Sequence, residues 1–209
     1  MGTVALIDYG SGNLRSAEKA LVEAGRRAGG VEVIVTSDPE VVRTADRIVL
    51  PGVGAFASCR AGLDIVPGLT EAMTEAVHGR GAPFLGVCVG MHLLADRGLE
   101  FGETAGLGWV PGEVRRLEPA GDLPVPHMGW NAVEPERGNP LLDAPEGMYF
   151  ANSYAFHAVS PEDVVAWSDH GGRFATSVLR GNVAGVQFHP EKSQAAGLAL
   201  LARFLEWRP

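Results

Sequence analysis

Pro83-Phe84-Leu85-Gly86-Val87-Cys88-Val89-Gly90-Met91-His92-Leu93-Leu94-Ala95 joins a short apolar run to a helical pattern through a cysteine held between two glycines. An apolar run of this length reads as a strand buried on both faces, as in a parallel sheet. The turn has the small-x-nucleophile-x-small form, with Cys in place of the more familiar Ser. Glycine on each side lets neighbouring backbone pass close by, so a sharp strand-to-helix turn can hold the middle residue in a strained conformation. The helix start that follows offers free N–H groups and a positive dipole end, which favour a thiolate or an oxyanion. Most free cysteines are small buried hydrophobes. Cys59, in Ala57-Ser58-Cys59-Arg60, has no glycine frame and is assigned to that class. Cys88 is the candidate nucleophile.

Upstream, the chain alternates apolar runs with helical patterns. Thr3 to Ile7 ends at the Gly-rich turn Asp8-Tyr9-Gly10-Ser11-Gly12-Asn13, and a helical pattern follows from Leu14 to Ala28. Val31 to Thr36 is a β-branched run closing at Ser37-Asp38-Pro39. Ile48-Val49-Leu50 is a third strand, and a helix is predicted over Gly68 to His78. Downstream the strands are shorter and separated by turns: Trp109 to Leu117, Gly129 to Val133, Met148 to Ala151, Val164 to Ser168 and Ala175 to Leu179. Val183 to Phe188 is one more strand, and Gln194 to Trp207 an amphipathic closing helix. The pattern predicts an α/β fold, with a mostly parallel sheet flanked by helices and an antiparallel portion added on one side. No repeat or linker divides the 209 residues, so a single domain over 1–209 is expected.

Composition narrows the function. The formal charge of −8 disfavours binding to a phosphate backbone, so no nucleic-acid partner is expected. No apolar stretch is long enough to span a bilayer, and the N-terminus enters a strand-like run with no basic leader. A cytoplasmic protein without a membrane partner is the expectation. Two cysteines outside any CxxC pair predict neither a disulfide framework nor a structural metal site.

A thiolate hydrolase needs a histidine to move a proton and a third group to orient the ring. Of the six histidines, His189 stands at the end of a strand-like run, Gly185-Val186-Gln187-Phe188, where α/β sheets place their sites. Glu191 lies two residues on and can reach back to the ring, with Pro190 restricting the turn between them. His78 and His170 sit in polar or Gly-rich surroundings that require no function. The loop Pro51-Gly52-Val53-Gly54 follows its strand directly, and backbone N–H groups at Gly52 and Val53 are candidate oxyanion donors beside that of Val89.

Gly86-Val87-Cys88-Val89-Gly90 together with Gly185-Val186-Gln187-Phe188-His189-Pro190-Glu191 resembles the class I, or triad, glutamine amidotransferases. Other segments are similar to the glutaminase subunits of imidazole glycerol phosphate synthase. These are Ile7 to Ser16, Leu50 to Phe56, Gly106 to Trp109, Pro126-His127-Met128-Gly129-Trp130-Asn131 and His189 to Ser193, so the likeness runs from residue 4 to the C-terminus. The resemblance implies a flavodoxin-like core, L-glutamine as substrate, no cofactor and no metal. It also implies a heterodimer with a (β/α)₈-barrel synthase subunit of histidine biosynthesis, to which ammonia is channelled. It places His92, Glu100, Asn152, Ser153 and Tyr154 around the substrate, and His127, Trp130, Asn131, Tyr149 and Lys192 toward the partner. Two positions depart from the family pattern: His92 stands where Gln is common, and Asn152 where His is usual. Two rivals use the same residues, a stand-alone cysteine hydrolase of this fold and a scaffold subunit that has lost catalysis.

Overall fold

In the computed structural model, which describes residues 2–136 and 138–209, the apolar runs of the first half are strands. They are β1 (Gly2–Ile7), β2 (Val31–Thr36), β3 (Arg47–Gly52) and β4 (Phe84–Cys88), and between them lie α1 (Leu14–Arg27), α2 (Pro39–Thr44), α3 (Phe56–Ile65) and α4 (Leu69–Thr74). A four-residue helix, α5 (Val89–His92), follows β4 without a break. The second half contributes β5 (Arg97–Gly98), β6 (Thr104–Ala105), β7 (Gly112–Arg116), β8 (His127–Pro135), β9 (Glu146–Asn152), β10 (Tyr154–Ala158), β11 (Val164–Asp169) and β12 (Arg173–Arg180). The chain closes with β13 (Val183–Val186) and α6 (Gln194–Glu206).

Strands β2, β1, β3, β4 and β13 lie side by side in that order, all parallel. This is the flavodoxin-like order, whose ligands sit beyond the carboxyl ends of the strands. Every residue of β3, β4 and β13 is buried, which is why these strands read as continuous apolar runs. Beyond β13 the sheet turns antiparallel through β12, β10 and β7, and β11, β8 and β9 branch from β12. Helix α1 packs on α6, while α2 and α3 pack on α4. The parallel core with a one-sided antiparallel addition is therefore as the sequence pattern predicts.

One buried charge joins the layers. Arg47, at the start of β3, is 6% exposed. Its Nε donates to the Phe204 carbonyl at 3.2 Å and its Nη2 to that of Trp207 at 3.0 Å. These carbonyls lie at the α6 C-terminus, where a helix leaves its last carbonyls without the usual i+4 partner. Among the described residues, that of Phe204 accepts otherwise only from the Trp207 N–H at 3.3 Å.

Several element boundaries differ from the pattern, each for a visible reason. The segment Gly68 to His78 is α-helical only to Thr74 and then widens to a π-turn over Glu75–Gly79, with Ala76 and Val77 both in the core. The helix expected from Met91 to Ala95 begins at Val89 and stops at His92. The carbonyls of Leu93, Leu94 and Ala95 instead accept from Leu107, Trp109 and Gly108. Those bonds also delay the strand expected from Trp109, which starts at Gly112. Helix α2 occupies what reads as a turn: Pro39 opens it, and Asp38 Oδ1 accepts from the Glu40 N–H at 2.9 Å. Helix α3 and strand β10 are further additions to the predicted elements.

Candidate active site

Strand β4 ends on Cys88 with φ 55° and ψ −113°, a backbone state that side-chain-bearing residues rarely adopt. The framing glycines make that turn possible. A Cβ on Gly90 would lie 1.9 Å from the Leu50 carbonyl oxygen, and one on Gly86 would lie 2.5 Å from that of Gly90. Both are contacts with backbone, which cannot yield. Val89 opens α5, so its N–H has no acceptor within the helix and is available beside the sulfur.

Gly52 pairs with Cys88 across β3 and β4, which brings the Pro51 to Gly54 loop out alongside the nucleophile. Val53 is 44% exposed, but its peptide is held from behind. Its N–H donates to Ser11 Oγ at 3.2 Å, and the Ser11 hydroxyl donates to the Val53 carbonyl at 2.8 Å. The buried Cys59 thiol donates to the same carbonyl at 3.3 Å, so this cysteine fixes the loop. The Tyr9 hydroxyl donates to the Pro51 carbonyl at 2.7 Å, and burial, with Cys59 adjacent, raises that phenol well above its usual range. The Val53 N–H expected at an oxyanion is therefore occupied by Ser11 here.

His189 follows β13 at the same edge of the sheet and is 4% exposed. Its Nδ1 bonds Glu191 Oε1 at 2.9 Å, which leaves Nε2 as the free ring nitrogen in the cleft that Cys88 also lines. Burial favours the neutral ring, but the bonds and charges of Cys88 and Glu191 outweigh it and push the pKa up to about 9. The backbone around His189 is clamped. Its N–H donates to the Tyr149 carbonyl at 2.9 Å, its carbonyl accepts from Ser193 Oγ at 2.7 Å, and that oxygen accepts from the Tyr149 N–H at 3.0 Å. The three triad candidates thus converge.

A cleft of about 280 Å³ opens over Cys88, Val89 and His189, with His92, Glu100, Asn152, Ser153 and Tyr154 in its wall. The substrate candidates are gathered, yet three are partly committed. Glu100 Oε2 accepts from the Phe56 N–H at 2.8 Å, at the start of α3. His92 Nε2 meets Gln187 Oε1 at 2.6 Å, and burial pushes its pKa down to about 4. The Asn152 amide donates to the Tyr154 carbonyl at 3.1 Å, while its Oδ1 is buried without a partner.

The partner-facing candidates divide. On β8 the side chains alternate, so Met128 and Trp130 point outward, 64% and 53% exposed. Trp130 meets Tyr149 edge-on at 6.1 Å, and Lys192 lies over the Tyr149 ring at 5.8 Å, beside the cleft. His127 turns the other way. It is 5% exposed and packs inward against Phe150, Phe174 and His170, the last with ring centroids 4.2 Å apart. Asn131, also on the inner side, donates to the Asp169 carbonyl at 2.8 Å. His170 thus has a packing role, as does His78 against Trp109. Sequence reasoning passed over Ser11, Gln187, Ser193 and Met128. A lone polar Gln between Val186 and Phe188 was the available signal for the second.

The model of the class-I glutamine amidotransferase family matches residues 5–207. A subunit HisH of imidazole glycerol phosphate synthase from Caulobacter vibrioides is 64% identical over the whole of both chains. The protein of that name from Mesorhizobium japonicum is 50% identical over 99% of each. Among solved structures, a glutamine amidotransferase aligns with TM-score 0.74 at 21% identity over 98% of both chains. The glutaminase domain of a CTPS from Trypanosoma brucei, with bound acivicin, aligns with TM-score 0.66 at 17% identity, covering 100% of this chain and 96% of that one.

Proposed function

The chain belongs to the class-I glutamine amidotransferase family, and on that premise we propose that it is the glutaminase subunit of imidazole glycerol phosphate synthase, hydrolysing L-glutamine to glutamate and ammonia. The observation that carries the mechanism is the gathering of Cys88 and His189 in one cleft at the carboxyl edge of the sheet, with His189 Nδ1 bonded to Glu191 at 2.9 Å. Relatives at 64% and 50% identity over essentially full length carry the subunit's name. The single-domain assignment over 1–209 belongs to the same proposal.

The Cys88 thiolate attacks the side-chain carboxamide carbon of glutamine, and the oxygen takes up negative charge. The Val89 N–H lies beside that oxygen, and the Val53 N–H joins it once its peptide leaves Ser11. His189, protonated at Nε2, gives its proton to the departing nitrogen, and ammonia leaves a γ-glutamyl thioester on the sulfur. The neutral ring then takes a proton from water, and hydroxide attacks the thioester to release glutamate and regenerate the thiolate–imidazolium pair. Glu191 holds Nδ1–H throughout, which fixes the tautomer. Ammonia passes to a (β/α)₈-barrel synthase subunit docked on the face that carries Trp130, Tyr149 and Lys192. Among the described residues no helix is long and apolar enough to cross a membrane.

The test is Cys88→Ala in the complex with the synthase. Glutamine-dependent synthesis is lost, while a high concentration of ammonia still supports the reaction. Equal loss with both nitrogen donors overturns the assignment of Cys88.

A further inference from the structure

Beneath the cleft runs a second polar series that the triad does not use. Gln187 is 0% exposed and His92 is 5% exposed. A buried amide must find partners for both its ends. The backbone of Gln187 is fixed, since its N–H donates to the Thr176 carbonyl at 2.9 Å. Its side-chain Oε1 accepts from His92 Nε2 at 2.6 Å, and its amide nitrogen reaches toward Cys88 Sγ at 4.0 Å. We propose that Gln187 is a positioning residue for the Cys88 sulfur, and that His92 acts by orienting Gln187 and not by holding glutamine. The proposal rests on the assignment of Cys88 as nucleophile.

The orientation of the amide decides the chemistry. Burial keeps His92 neutral, with its pKa pushed down to about 4, so its ring carries one proton. With that proton on Nε2, the carbonyl end of Gln187 is drawn to His92 and the NH₂ end faces the sulfur. A thiolate is stabilised by an N–H donor and destabilised by a facing carbonyl oxygen. The 4.0 Å separation is long for a hydrogen bond to sulfur. Bonds of this kind are often long in a free site and tighten in the complex with substrate. The departure from the family's Gln at this position is then conservative in the sense that matters. Both side chains present one N–H donor to the Gln187 carbonyl.

The test uses the complex of this chain with its barrel synthase, measured with glutamine and separately with ammonia. Gln187→Met and His92→Phe each lower kcat with glutamine about ten- to hundred-fold, the scale of losing one hydrogen bond to a charged group, and leave KM for glutamine unchanged. Gln187→Asn, which keeps the amide but shortens its reach, loses kcat similarly and serves should the Met variant fold poorly. His92→Gln restores most of kcat relative to His92→Phe. The double variant Gln187→Met with His92→Phe is about as slow as Gln187→Met alone, because the two act in series. Unchanged ammonia-driven rates show that the complexes are folded and docked. A raised KM with intact kcat in His92→Phe overturns the proposal by placing His92 on the substrate, and so do multiplicative losses in the double variant. Neither outcome touches the assignment of Cys88, which fails if Cys88→Ala keeps its glutamine-dependent rate or loses the ammonia-driven rate equally.

Discussion

A proton on His189 should persist far above the ordinary imidazole range, and Cys88→Ala is the change that removes it. The ring's pKa rises from 6.5 to about 9. At about 1.4 kcal/mol for each tenfold in proton affinity, this is on the order of 3 kcal/mol in favour of the imidazolium. Burial works against it, so the Cys88 and Glu191 contacts together contribute more than the net figure. Removing the sulfur leaves burial opposed by Glu191 alone, and the midpoint falls back toward 6.5. The assay is NMR of the imidazole Cε1–H against pH, with His189→Asn to identify the resonance. His92 and His127 titrate near 4 and leave that window clear. The stability linkage has the same sign. The folded pKa lies above the unfolded one, so the contribution is fully present below about 6.5 and is lost as pH rises through about 9. Glutamine-dependent turnover also falls across that upper limit. A His189 midpoint that does not move in Cys88→Ala refutes the sulfur–imidazole contact as its cause.

Gly90→Ala should be among the most damaging substitutions, because its Cβ meets the Leu50 carbonyl at 1.9 Å. Overpacking against backbone costs about 3 kcal/mol, and urea unfolding with an unchanged midpoint would contradict the close approach. Arg47→Met withdraws two donors from the carbonyls of Phe204 and Trp207, and a loss of about 2 kcal/mol or more is expected. Hydrogen exchange should report it as earlier opening of the last turn of α6, and unaltered protection there would sink the idea. Ser11→Ala releases the two Ser11 bonds to Val53, including the one that occupies its N–H, and leaves the Cys59 thiol on its carbonyl. At roughly 1 kcal/mol for a net hydrogen bond, glutamine hydrolysis without the synthase should rise about five- to tenfold, and an unchanged basal rate argues against Ser11 as the restraint.

The parallel core, and the place of Cys88 on a sharp strand-to-helix turn, were legible because they depend on local pattern. Fully buried strands such as β3 and β4 must be apolar throughout, and the turn at Cys88 admits only glycine where backbones touch. What remained hidden depends on contacts between distant segments. The early end of α5 follows from the Leu93 and Leu94 carbonyls accepting from the N–H groups of Leu107 and Trp109, which no window around residue 92 contains. His127 lies in a motif whose neighbours Met128 and Trp130 face outward, and only the pairing of β8 with β9 shows that its own ring turns in. Ser11 and Val53 are 42 positions apart, so the bond that masks the oxyanion donor has no signature in either segment.

The two halves of the sheet meet at one residue of the triad. Cys88 and its donors come from the parallel half, at the ends of β3 and β4. His189 leaves β13 on that same edge, but its N–H and carbonyl are held by Tyr149 and Ser193, and Tyr149 belongs to β9 of the antiparallel half. The outer ring of Tyr149 meets Trp130 and lies under Lys192. A molecule that docks on those side chains and displaces β9 therefore pulls on the backbone of the histidine directly, through one carbonyl and one hydroxyl. The added antiparallel strands are thus part of the frame that holds His189, and the proposed partner face is only one residue away from that backbone.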